Sequence, residues 1–137
     1  QLWNVSRVAS ASSACVGAVV NVIGPHDDIR ANLLRCSRSG RLRTVPRTPQ
    51  MPCDWRPNQV IDPRSGQPFT DPGAWEFIVE KLSDNEPLET ISLLKPPGKV
   101  GYVMKIRDFD RNSTIYIKLQ LGAGVVIGRS FHYSDFD

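Results

Sequence analysis

The 137-residue chain has few of the residues that build disulfide frameworks and metal centres. Its three cysteines, Cys15, Cys36 and Cys53, are an odd number without CxxC spacing, which indicates reduced thiols rather than disulfides or zinc ligands. Its two histidines, His26 and His132, lie far apart in the sequence. We therefore expect no metal and no cofactor, and reduced thiols favour a cytoplasmic location.

Long apolar runs are also missing. The apolar stretch at residues 15–23 is too short to span a bilayer, which takes about 20 residues. The apolar share of 40% and the charged share of 23% are ordinary for a soluble globular protein. We therefore expect one domain with a modest core, and no membrane among its partners.

Acidic residues are absent from a segment that is rich in arginine. Between Arg30 and Arg47 the sequence has six arginines and no Asp or Glu. Clustered arginine without acids is typical of proteins that bind phosphate groups, and RNA is the partner that we expect. The alternative is a solvated basic loop. Arg41 and Arg43 are the candidate RNA contacts in this segment.

The first half of the chain predicts little regular structure. A short helix is expected at residues 28–37. Seven prolines between residues 44 and 73 exclude long helices and central strands, so this segment should run as an extended connector with Trp55 held by the core. We divide the chain into an N-terminal extension, 1–60, and a core, 61–137, which together should form one compact domain.

The second half predicts helices followed by a sheet. Asp71 is the expected N-cap of a helix at Ala74–Leu82. A partial apolar stripe indicates a second short helix at Glu86–Leu94. Helices packed on a C-terminal antiparallel sheet make an α+β fold. The three strands of the expected meander are residues 100–107, 114–121 and 125–132.

The strand at 114–121 alternates strictly between apolar and polar residues, as a half-buried strand does. Its polar positions are Tyr116, Lys118 and Gln120, which place a phenol, an ammonium and an amide on one face. The following strand ends in His132. Ordinary solvent-facing strands carry Thr, Lys and Glu, so this face has the composition of a site.

The pairing of the last two strands depends on the length of the turn between them. A two-residue loop puts Arg129 opposite Tyr116. A three-residue loop, which the apolar pattern favours, puts Ser130 opposite Tyr116 and His132 opposite Thr114. In that register Arg129 falls on the buried face, near an edge.

Two motifs in the second half resemble those of a known family. They are the strand motif IYIKL at residues 115–119 and the terminal motif IGRSFH at residues 127–132. Together with the apolar helix that begins near Asp71, they resemble the MqsR-type toxins of bacterial toxin–antitoxin pairs. These toxins are small messenger-RNA endonucleases with a RelE/barnase-like α+β fold. The resemblance covers residues 69–132.

The resemblance implies a metal-independent endoribonuclease that acts on messenger or transfer RNA and is inhibited by a cognate antitoxin. It aligns the family's catalytic tyrosine with Tyr116 and its terminal basic residue with His132, where lysine is commoner. The family's helix lysine and strand glutamine have no counterpart in this sequence.

The residues themselves suit such a reaction. A histidine can act as acid or base near neutral pH, a tyrosine can donate a proton or hold the phosphate, and cations can stabilise the charge of the transition state. The product would be a 2′,3′-cyclic phosphate. The candidate catalytic residues are His132, Tyr116, Arg129 and Lys118. The candidate RNA contacts are Lys105, Arg107, Ser130, Lys99, Arg41 and Arg43.

Two other interpretations stay open. A secreted effector with the same fold and chemistry could be delivered into the cytoplasm of a target cell, where an immunity protein would replace the antitoxin. From a different class, a non-catalytic RNA-binding or adaptor domain could use the basic segment from Arg30 to Arg47 as its contact.

Overall fold

A mostly antiparallel sheet of six strands and two helices are formed by residues 25–134, which are the residues that the computed structural model describes. The α+β class predicted from the sequence is confirmed. The apolar stretch at residues 15–23 and Cys15 lie outside the described residues. The elements are α1 (Pro25–Ser37), β1 (Arg43–Thr44), β2 (Asp54–Trp55), a 3-10 turn (Pro57–Gln59), α2 (Asp71–Ser83), β3 (Glu89–Ser92), β4 (Val100–Asp108), β5 (Ser113–Leu121) and β6 (Val126–Tyr133).

The strands lie in the order β1-β6-β5-β4-β3, and β2 also pairs with β6. The last three strands form the predicted antiparallel meander, which is confirmed. The two-residue strands β1 and β2 run parallel to β6, one after the other along its outer edge. Prolines in the connector keep both strands short, because proline cannot donate to a ladder.

The predicted helix at Glu86–Leu94 is wrong. Residues Glu89–Ser92 form β3 and pair with Val100–Val103 of β4. The stripe in this segment was incomplete, and its central residues, Thr90 and Ile91, are β-branched and favour strands. The open edge of β4 therefore decides the conformation, as tertiary pairing often does for weak helix sequences.

The N-cap of helix α2 lies one residue earlier than the predicted cap, Asp71. The N-cap is Thr70, whose Oγ1 accepts a hydrogen bond from the Gly73 backbone N–H at 3.0 Å, and Asp71 is the first helical residue. Asp71 keeps a favourable place there, because a carboxylate in the first turn complements the helix dipole. The buried side chains of the helix are Ala74, Trp75, Phe77, Ile78 and Leu82.

The core lies between the two helices and one face of the sheet. Its centre is aromatic: the Trp55 ring centroid lies 5.1 Å from that of Trp75 and 5.5 Å from that of Phe131. Trp55 is only 5% exposed, so the prediction that the core holds it is confirmed. Gly128 makes room for it, since a Cβ there would lie 2.7 Å from the indole ring. This packing fixes the neighbouring residues of β2 against β6.

Candidate functional site

The polar face of the sheet is the side that carries Tyr116, Lys118 and Gln120 of β5. The opposite, apolar face carries Ile115, Ile117 and Leu119 and packs against the helices. Several predicted site residues meet on the polar face, and the pairing of β5 with β6 decides which of them are neighbours.

Both predicted registers of this pairing are wrong. The structure pairs Leu121 with Val126, so the loop has four residues, Gly122 to Val125. A β-bulge then interrupts the ladder between Leu119 and Lys118. Beyond the bulge Lys118 pairs with Ser130, and Tyr116 pairs with His132.

The bulge consists of one extra residue, Arg129. Its neighbours Gly128 and Ser130 pair with Leu119 and Lys118, which leaves Arg129 without a partner position on β5. Its guanidinium contacts Gln120 and therefore lies on the polar face. The prediction that Arg129 falls on the buried face is therefore wrong, because the bulge turns its side chain to the polar face.

Tyr116 and His132 are stacked side by side on the polar face. Their ring centroids are 5.4 Å apart and their planes differ by 19°. The Nδ1 atom of His132 lies 2.8 Å from the backbone oxygen of Tyr133. A carbonyl oxygen only accepts hydrogen bonds, so Nδ1 carries the proton and Nε2 is the nitrogen that exchanges protons.

Asp54 faces that second nitrogen. Its Oδ2 lies 3.4 Å from His132 Nε2, a distance that becomes an ion pair when the imidazole is protonated. Strand β2 brings it there because Trp55 points into the core, and the alternation of the strand turns Asp54 to the polar face beside Ser130. Arg56 holds the carboxylate from outside, with Nε 2.6 Å from Oδ1.

Tyr116 keeps its proton in this setting. Burial raises the pKa of its phenol, the positive charge of Lys105 opposes this effect, and the negative charge of Glu89 adds to it. Lys105 lies directly opposite Tyr116 on β4, and its Nζ is 3.5 Å from Glu89 Oε1. The phenol is therefore a neutral donor next to a cation.

Lys118 and Arg129 lie farther along the sheet, in an adjacent pocket. Arg129 is 4% exposed and donates to three oxygens, on Gln120, Pro52 and Lys95. Burial lowers the pKa of Lys118, the charge of Arg129 lowers it further, and Asp54 and Cys53 oppose the change. These two cations form a cluster separate from the Tyr116–His132 pair.

The other predicted RNA contacts are scattered. Arg107 lies near the end of β4 and donates to Asn112 and Thr114. Arg43 lies on the helical side, where it donates to the Ser37 backbone oxygen. Arg41 and Lys99 are exposed in loops, and Ser130 lies on the polar face but is buried between Lys118 and Asp54.

Sequence reasoning missed Asp54 and Glu89, the two carboxylates of the site. Asp54 lies in the proline-rich connector, for which the sequence predicts an extended segment, and Glu89 lies in the segment predicted as a helix. A signal for Asp54 was present: Trp55 was expected in the core, and a short extended segment must turn the residue before an inward tryptophan outward.

No cluster of three or more His, Cys, Asp or Glu side chains suited to a metal occurs in residues 25–134. No helix within the same range is long and apolar enough to cross a membrane. No protein-family model, curated protein or solved structure matches this chain.

The arrangement offers a defined set of reactive groups. His132 presents one proton-exchanging nitrogen, Tyr116 presents a protonated phenol, and Lys105 adds a positive charge beside it. Such a set can move a proton from one oxygen to another while a cation stabilises a developing negative charge.

Proposed function

We propose that this protein is a metal-independent endoribonuclease whose catalytic residues are His132 and Tyr116. The observation that carries the proposal is the stacked Tyr116–His132 pair, with the exchangeable Nε2 of His132 turned to Asp54. An aligned base, a protonated donor and adjacent cations are the groups that cleavage of a phosphodiester by its own 2′-hydroxyl requires.

In the proposed reaction, neutral His132 takes the proton of the 2′-hydroxyl at Nε2. The 2′-oxygen then forms a bond to phosphorus, and the bond from phosphorus to the 5′-oxygen breaks. Tyr116 donates its proton to the leaving 5′-oxygen, and Lys105 stabilises the charge on the phosphorane. The products are a 2′,3′-cyclic phosphate and a free 5′-hydroxyl.

Asp54 acts through His132 in this scheme. When Nε2 has taken the proton, the imidazolium faces the carboxylate at the 3.4 Å separation seen in the resting site. The favourable charge pair stabilises the protonated state that the reaction produces. Asp54 is therefore a positioning and stabilising residue, and it does not touch the substrate in this scheme.

We extend the proposal to a RelE-like toxin that acts on messenger or transfer RNA in the cytoplasm and is inhibited by an antitoxin or immunity protein. Support comes from the resemblance of the IYIKL and IGRSFH motifs, and from an α+β fold in which the helices pack on one face of the sheet and leave the other face for substrate.

The proposal is tested by incubating the purified protein with a long single-stranded RNA in EDTA, beside His132→Ala and the control Glu76→Ala. Glu76 is exposed on α2, on the far side of the sheet. We expect the wild type and the control to leave cyclic phosphate ends and His132→Ala to lose at least about 100-fold in rate. Intact RNA with the wild type, or equal cleavage by His132→Ala, would contradict the proposal.

A second candidate function is RNA binding without cleavage by the basic segment. Three of its arginines are engaged in the fold: Arg30, Arg43 and Arg47 donate to backbone oxygens. The exposed arginines that remain for a phosphate backbone are Arg35, Arg38 and Arg41. Salt-dependent RNA binding that is lost when these three become alanine, with no cleavage by the wild type, would favour this function.

A further inference from the structure

A pocket of about 510 Å³ opens on the polar face beyond Lys118. Its walls are partly apolar, formed by Pro52, Leu93 and Leu94, and its basic lining residues are Lys95, Lys118 and Arg129. This volume and this mixture of apolar surface with a few polar groups are typical of sites for small organic ligands. The acid–base scheme at Tyr116 and His132 does not use the pocket.

Arg129 is a buried cation without a carboxylate partner among residues 25–134. Its three hydrogen bonds end on neutral oxygens: Pro52 O at 3.1 Å, Gln120 Oε1 at 2.6 Å and Lys95 O at 2.6 Å. Each terminal nitrogen of the guanidinium carries two N–H groups, so one on each remains for another acceptor. A buried charge without a counter-charge is costly, and an anionic ligand would remove that cost.

Lys118 is directed toward the same pocket. Its aliphatic stem lies over Gly101 of β4, where an added Cβ would come within 3.3 Å of the lysine Cγ. Gly101 lies two residues along β4 from Val103, the residue that pairs with Lys118, and on the side away from Tyr116. No ion pair of Lys118 occurs within the described part of the chain, and burial and the proximity of Arg129 lower the pKa of its ammonium, against the weaker influence of Asp54. Lys118 and Arg129 thus share one pocket with Lys95, and none of the three forms an ion pair with a described residue.

The apolar wall narrows the class of anion. Leu94 is 92% exposed at the rim, Leu93 is buried behind it, and the exposed Pro52 forms a further part of the lining. A small inorganic anion would leave this apolar surface in water. A phosphate that carries a planar base would cover it, because a base edge or face packs well on leucine and proline.

We propose that this pocket binds a nucleoside monophosphate unit, with its phosphate against Lys118 and Arg129 and its base against Leu93, Leu94 and Pro52. The proposal rests on the proposed function, because in an RNA substrate this unit would be the nucleotide next to the reacting phosphodiester. Lys118 follows Tyr116 by two residues on the same face, about 7 Å along the strand, which one nucleotide can span.

The test is calorimetric titration of the whole protein with adenosine 5′-monophosphate, and with inorganic phosphate and adenosine for comparison. We expect saturable binding of the nucleotide, and a loss of about tenfold or more in affinity for Lys118→Met. Leu94→Ser should weaken binding of the nucleotide and leave binding of inorganic phosphate unchanged. Neither side chain makes a hydrogen bond within the described residues, so both variants should fold, whereas Arg129 joins three segments and is a poor first choice.

The matched control is Lys99→Met, at a predicted RNA contact that the structure leaves outside the pocket. It removes the same charge from an exposed lysine near the pocket that does not line it, and its affinity should stay within about twofold of the wild type. Absence of saturation at millimolar nucleotide, or equal affinity of Lys118→Met and the wild type, would overturn the proposal. Tighter binding of inorganic phosphate than of the nucleotide would also overturn it, because the apolar wall would then have no part.

The outcome of this titration does not depend on the outcome of the cleavage assay. Nucleotide binding that depends on Lys118, together with RNA that stays intact, would support the proposed pocket and contradict the proposed function. Cleaved RNA without measurable nucleotide binding would support the function and contradict the pocket.

Discussion

Two basic residues of β6, Arg129 and His132, occupy the same face of the sheet and differ in how the protein holds them. Arg129 is buried and tied to three oxygens from three separate segments. His132 is held by the carbonyl of its own neighbour and by the half-exposed Asp54. The first arrangement fixes a permanent charge in place. The second leaves a nitrogen free to gain and lose a proton, so one strand carries both a binding group and a reactive group.

The largest difference between Arg129 and His132 should be in how much each side chain contributes to the free energy of unfolding. Arg129→Gln removes at least two hydrogen bonds and leaves Gln120 and a backbone oxygen unsatisfied, so we expect a loss of about 2–3 kcal/mol in the free energy of unfolding. His132→Gln should change it by no more than about 0.5 kcal/mol, because its hydrogen bond is to its own neighbour and Asp54 and Tyr116, which it faces, are partly exposed. Urea denaturation of both variants measures the difference. Equal losses of stability in the two variants would contradict the view that Arg129 is a structurally fixed group and His132 a reactive one.

The faces of the strands were largely predictable from the sequence, and their pairing was not. The turn is one residue longer than the favoured prediction, which by itself moves β6 to the opposite face. The bulge adds one more residue and restores the faces of Phe131 and His132. Both residues therefore lie on the predicted faces, but His132 is opposite Tyr116 rather than Thr114. Between the turn and the bulge the faces are exchanged, and Ile127 lies opposite Gln120.

The alternation of a single strand cannot reveal these two insertions, because each is decided by contacts with distant residues. The bulge is stabilised by hydrogen bonds from Arg129 to Pro52 and Lys95, which are 77 and 34 residues away. Asp54 likewise reaches the site through the packing of Trp55 on Trp75 and Phe131. Helix α2 and the meander depend on local periodicity and were predictable from the sequence. The site also depends on the packing of the connector, so only part of it was predictable.

A smaller effect should come from the carboxylate beside His132. Asp54→Asn keeps the shape of the side chain and removes the charge that stabilises the imidazolium, so we expect the rate of RNA cleavage to fall about tenfold. Substrate affinity should change little, because Asp54 does not contact RNA in the proposed scheme. The measurement is single-turnover cleavage at increasing RNA concentration, with urea denaturation beside it. The maximal rate should fall while the RNA concentration at half-maximal rate and the free energy of unfolding stay unchanged, whereas a purely structural role would lower the stability as well.

The matched control for that variant is Glu89→Gln, which removes a carboxylate that faces Lys105 and Tyr116 instead of His132. Its loss of cleavage rate should be smaller than that of Asp54→Asn. A loss of the same size in both variants would mean that the general negative charge of the face, and not the Asp54–His132 contact, supports cleavage.

The smallest effect concerns Lys118, which lies between the fixed and the reactive group. The folded state lowers the pKa of its ammonium below the usual 10.5, through burial and the charge of Arg129. Between the lowered value and 10.5 the unfolded chain binds more protons than the folded chain, so the stability of the wild type rises with pH across that window. At pH 7 the lysine is charged in both states, so the full unfavourable effect of its buried charge lowers the free energy of unfolding.

Lys118→Met should therefore be slightly more stable than the wild type at pH 7, by an amount that solvent screening of the partly exposed ammonium keeps small, and this advantage should shrink as the pH approaches 10.5. Urea midpoints at pH 7 and pH 10 measure it, with Lys99→Met as the exposed control whose difference from the wild type should not depend on pH. Saturating adenosine 5′-monophosphate should reverse the order at pH 7, since a ligand that binds the folded wild type more tightly stabilises it more. An advantage that neither pH nor nucleotide alters would mean that Lys118 is simply a solvated side chain, and the binding of an anion would then depend on the buried Arg129 instead.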